Sequence, residues 1–108
     1  MLARICFINP HLSETAALVR YAAAKRVPSF GVVFCDSGHY DLSLPVFTRD
    51  QLVRARPAVH GVVGVVTETT ESEVRFAASV CRPIQYAIVD DREDGYAFID
   101  DFFLDAMS

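Results

Sequence analysis

Long apolar runs, paired cysteines and an excess of basic charge are all missing from this 108-residue chain. The first apolar run, Ile5-Cys6-Phe7-Ile8, stops at Asn9-Pro10. It is too short for a signal core or a membrane span, so no membrane partner is expected. The cysteines are Cys6, Cys35 and Cys81, an odd number with no CxxC and no Cys/His ligand spacing. That argues against zinc and against a disulfide framework, and favours buried, reduced thiols in a cytoplasmic protein. Ten Lys and Arg stand against fourteen Asp and Glu, a net charge of −4. A basic nucleic-acid footprint is therefore lacking, and no nucleic-acid partner is expected.

Catalytic signatures are missing too. There is no GxxxxGK[ST], no GxGxxG and no GxSxG. A thiolate phosphatase loop needs Arg six positions after its cysteine, but Cys6 is followed there by Leu12 and Cys35 by Asp41. An apolar strand around a thiol also raises its pKa, which suits a core residue better than a nucleophile. No catalytic residue, metal or cofactor is assigned.

What is present is enough apolar residue for a core. Hydrophobic residues make up 52% and charged residues 22%, which reads as one folded domain over 1–108. Arg4 to Ile8 is nearly continuous in apolarity, as a strand covered on both faces requires. Ser13 is placed to cap a helix from Glu14 to Arg26, with Leu12, Ala16, Val19 and Ala23 at helical spacing, and Pro28 stops it. Phe30 to Cys35 is a second strand. Strand, helix and strand in this length make a right-handed parallel unit.

Residues 37–46 read as a surface loop or a short edge strand. Thr48 and Gln51 form a capping box for a helix from Arg49 to about Arg56. Gly61 to Thr67 is a central strand, with Val63 and Val65 expected in the core on opposite faces. Thr70 and Glu73 form a second capping box, opening a helix from Glu71 to about Arg82 with Val74, Ala77, Ala78 and Cys81 inward. Ile84 to Val89 is a fourth strand. Asp90 to Gly95 reads as a charged turn, Tyr96 to Ile99 as an antiparallel edge strand, and Asp100 as the cap of a short last helix.

The expected fold is an α/β three-layer sandwich with a mainly parallel sheet of four or five strands, the first four in the order 2-1-3-4. An α+β arrangement with a mixed sheet is the alternative.

Charge is unevenly spread. Residues 1–89 hold nine bases and seven acids, whereas residues 90–108 hold seven acids and one base, Arg92. The acids of that segment are interleaved with Tyr96, Phe98, Phe102, Phe103, Leu104 and Met107. Acids around large apolar groups suit a partner protein with a basic or partly apolar groove, or self-association. The first functional reading is thus a non-catalytic interaction domain, of the kind of a small bacterial or phage regulator or inhibitor. It would dock through Asp100, Asp101, Phe102, Phe103 and Asp105, with at least one of the two Phe rings partly exposed.

The second reading is a ligand-binding domain or small enzyme. In parallel sheets the binding crevice lies beyond the strand carboxyl ends. Asn9, His11, Asp36, His39, Thr67 and Thr70 sit at those ends and would take a nucleotide-like or phosphorylated compound.

Overall fold

The computed structural model describes residues 3–34, 44–57, 61–69 and 71–107. Five parallel strands form one sheet in the order β3-β2-β1-β4-β5. They are β1 (Ala3–Ile8), β2 (Ser29–Val32), β3 (Val46–Phe47), β4 (Val62–Thr67) and β5 (Gln85–Ile88). The helices are α1 (Ser13–Ala24), α2 (Arg49–Ala55), α3 (Ser72–Cys81) and α4 (Arg92–Met107). The expected three-layer α/β sandwich is present. The four strands read from the sequence correspond to β2, β1, β4 and β5 in the expected order, and β3 adds a parallel edge beside β2.

The core explains the continuous apolar runs. Alternate residues of a strand face opposite ways. Ile5 and Phe7 pack with Leu18, Ala22, Val66, Ile99 and Phe102 on the α1–α4 side. Cys6 and Ile8 pack with Val32, Leu52, Val63, Val65, Ala77 and Cys81 on the α2–α3 side. Both faces of β1 and β4 are therefore covered. Val63 and Val65 are both buried, but on one face rather than two, because residues two apart share a face.

Several local expectations need correction. Tyr96 to Ile99 is not an antiparallel strand; it lies inside α4. The Asp91 carboxylate accepts the Asp94 amide at 2.9 Å, so the helix is capped nine residues before Asp100. Gly95, Ile99 and Phe102 then fall at i, i+4 and i+7 and are buried. At the start of α1 the cap position is Leu12, not Ser13, and it makes no side-chain cap. The buried residues of α1 are Thr15, Ala17, Leu18, Val19 and Ala22; Ala23 is exposed. That helix ends at Ala24, ahead of Arg26, whose φ is 58°. The α3 cap is Glu71 at φ 73°, with no side-chain cap bond. Its expected partner in the box, Thr70, lies outside the described residues. The Thr48–Gln51 capping box forms in full, with both reciprocal bonds present.

Candidate functional site

The carboxyl ends of β1, β2 and β4 meet on one rim of the sheet; among the described residues Asn9, Thr67 and Glu68 are bonded within the chain, whereas the buried Thr15 Oγ1 in the first turn of α1 has no hydrogen-bond partner. Asn9 sits at φ 51° and is buried. Its Oδ1 accepts the Phe34 amide at 3.3 Å, tying the turn after β1 to the end of β2. Thr67 is also buried; its hydroxyl donates to the Ile8 carbonyl at 3.3 Å and accepts the Thr69 amide at 2.9 Å. Thr67 and Thr69 hydroxyls are 2.7 Å apart. His11 is half-buried in the β1–α1 turn. Asp36, His39 and Thr70 lie outside the described residues, as does Cys35.

Sequence reasoning missed Glu68 at this rim. Its Oε1 accepts the amides of Glu14 (3.2 Å) and Thr15 (3.4 Å) in the first turn of α1. These free N–H groups are where a phosphate or carboxylate ligand would dock on a parallel sheet. Here the chain supplies its own carboxylate. Arg92 Nε reaches Glu14 at 3.3 Å from the other side and links α4 to the same turn. Glu68 comes from a loop 54 positions away in sequence, so no local pattern marks it as a cap.

The acidic-aromatic segment is split between core and surface. Phe102 is fully buried and lies over Gly64, where a Cβ would come within 3.1 Å of its ring. Its ring stacks on Phe98 at 6.0 Å. Phe103 stays half-buried against the α1–α4 core, so one of the two rings is partly exposed as expected. Asp101 is exposed. Asp100 is exposed as well and accepts the Tyr21 hydroxyl at 2.8 and 2.9 Å. Asp105 lies on the last turns of α4.

Leu104 in this segment is 68% exposed, but among the described residues the other large apolar exposures gather elsewhere. Ile84, Tyr86 and Ile88 are 57%, 61% and 43% exposed. Tyr86 and Ile88 alternate along the edge strand β5 with Ala87, which turns with Val89 into the α1–α4 core, and Ile84 sits at the bend just ahead of the strand, where its amide donates to the Val63 carbonyl. The row therefore faces the α2–α3 side. There α3 packs mainly on β1 and β4, and Tyr86 and Ile88 stay exposed beside it. No charge and no proline falls within β5, so of the usual devices that protect a sheet edge only its shortness, four residues, is present in the strand itself.

Cys6 and Cys81 are free, fully buried and in contact. The hydrogen bond to Cys81, and burial, hold the Cys6 thiol well above the usual range. The bond from Cys6, with Arg4 nearby, favours thiolate on Cys81. A cleft of about 410 Å³ opens at the amino end of β2, lined by Val19, Arg26, Val27, Ser29 and Leu44 among others. It lies at the opposite end of the sheet from Asn9 and Thr67. Among the described residues no cluster of His, Cys, Asp and Glu could hold a metal, and no helix is long and apolar enough to cross a membrane.

Comparison with known proteins yields no match to a family model, a curated protein or a solved structure.

Proposed function

We propose that this chain is a protein-interaction domain that docks through the open edge of β5. The observation that carries the reading is the pair Tyr86 and Ile88 on an edge strand that bears no charge, with Ile84 just ahead of it, each more than two-fifths exposed. Isolated exposed apolar residues are ordinary on a protein surface, but a contiguous row beside unpaired strand backbone is a surface made for pairing. An added strand would gain main-chain hydrogen bonds from the edge and side-chain contact from the row.

The sequence first pointed to Asp100, Asp101, Phe102, Phe103 and Asp105 as the docking residues. With Phe102 in the core and Asp100 bonded to Tyr21, their contribution to binding in this reading is charge at the margin. The alternative, a ligand site at the strand carboxyl ends, receives less support, because Asn9, Thr67 and Glu68 are engaged within the chain.

Photo-crosslinking tests the proposal. Benzoylphenylalanine replaces Gln85, which is exposed on the edge, in cells that make the protein. The same group at Arg54, exposed on α2, is the control. A discrete adduct from position 85, absent from position 54 and lost with Tyr86→Asp, is the expected result. No discrete adduct from position 85 would reject β5 as the docking edge.

A further inference from the structure

We propose that the occupant of the β5 edge is an extended segment of a partner protein in which apolar and basic side chains alternate. This rests on the reading of β5 as an interaction edge and specifies its partner. The two faces of that edge differ in chemistry. One face carries Tyr86 and Ile88, both exposed. The other is bordered by α4, which packs against β5 and is rich in acids.

The orientation of α4 follows from its contacts. The Tyr21–Asp100 hydrogen bond and the Tyr21–Tyr96 stack at 4.3 Å set Tyr96 and Asp100 toward α1. Ile99 and Phe102 set the side toward the sheet. At about 3.6 residues per turn, Asp94, Phe98 and Asp101 then occupy the remaining flank. The strand order β2-β1-β4-β5 puts that flank on the β5 side, because α1 packs over β1 and β2. Asp94 and Asp101 are both exposed there. Asp90 and Asp91, also exposed, follow the end of β5.

An incoming strand presents alternate side chains to opposite faces. Those on one face would lie beside Tyr86 and Ile88. Those on the other would point toward the acidic flank of α4. Only alternation of apolar with basic residues satisfies both. The strand backbone fits as well. The Val89 amide donates to the Thr67 carbonyl, so alternation leaves the N–H and C=O groups of Tyr86 and Ile88 on the open side. A second copy is the poorer occupant. It would bring its own α4 beside this one, acid against acid, in a chain already at −4.

The test uses the full chain and the synthetic peptide acetyl-Arg-Val-Lys-Val-Arg-Val-Lys-amide. Its control carries Glu in place of every Arg and Lys. The basic peptide should bind saturably at millimolar concentration or below, weaken with added salt, and slow amide exchange at Tyr86 and Ile88. The acidic control should not bind. Tyr86→Asp, and separately Asp94→Lys with Asp101→Lys, should each weaken binding about tenfold or more while the fold is retained. Absence of binding at millimolar peptide, equal binding of the acidic control, or indifference to both sets of substitutions would overturn the proposal. The cross-link at position 85 separates this from its parent reading. An adduct with a second copy, or with a neutral or acidic segment, keeps β5 as the edge and rejects the basic strand. No adduct rejects both.

Discussion

At the scale of single residues, Tyr21 and Asp100 show how a surface acid can be structural. The phenol donates to both carboxylate oxygens, joining α1 to α4 across 79 positions of sequence. That bond, followed by desolvation and then the nearby Asp100 charge, raises the Tyr21 pKa above the ordinary tyrosine value. The folded state thus favours protonated Tyr21. The contribution is complete below the unfolded pKa of about 10 and is lost as pH rises through the higher folded value. Asp100→Asn should bring Tyr21 down toward the ordinary value. The tyrosinate absorbance titration will show it, with Tyr21→Phe identifying the component. A Tyr21 titration unmoved by Asp100→Asn would remove the bond as the cause. Nothing near Asp100 in sequence announces this role; its neighbours suggest a helix cap, and the actual partner is set by packing.

Elements were misread where one residue type serves two purposes. Gly95 reads as a turn former after a run of acids, and Tyr96 to Ile99 then looks like a strand. In the structure Gly95 lies inside α4, directly against the Leu18 side chain of α1. A Cβ there would overlap the Leu18 side chain, with Leu18 Cγ at 2.9 Å. Leu18 is fully buried and has little room to give. Alanine ordinarily gains about 1 kcal/mol over glycine within a helix. Gly95→Ala should nonetheless destabilise the fold by about 1–3 kcal/mol, the usual cost of overpacking. Denaturant unfolding measures this. Leu18→Ala in the same chain should absorb part of the cost, so the double variant should lose less than the sum of the two single ones. A stabilised Gly95→Ala would show that the helices part easily. By contrast, Thr48–Gln51 was legible because a capping box is local in sequence, and the helix after it begins where the box says.

For the whole molecule, the sheet was legible and its open edge was not, and both outcomes have one origin. Continuous apolar runs at Arg4–Ile8 and Gly61–Thr67 mark strands covered on both faces, and β1 and β4 are central. Ile84 to Val89 is just as continuous, yet Tyr86 and Ile88 are exposed. Whether the outer face of a last strand is covered depends on where the preceding helix lies across the sheet, and here α3 packs mainly on β1 and β4. That is a property of packing, invisible in a run of residues. The acidic segment was legible as unusual, but its aromatics divide between core and surface by helix phase, which the strand assignment concealed. Amide exchange reads the resulting gradient. Central β1, whose Ile5 to Ile8 side chains are fully buried, should exchange slowest, near the limit set by global unfolding. Within β5 the amides should alternate. Ala87 and Val89 face β4 and should be protected, whereas Tyr86 and Ile88 face solvent and should exchange fast in the free chain. Uniform protection across β5 in dilute protein would mean that the edge is already occupied, and uniform loss would mean that β5 is not held on β4.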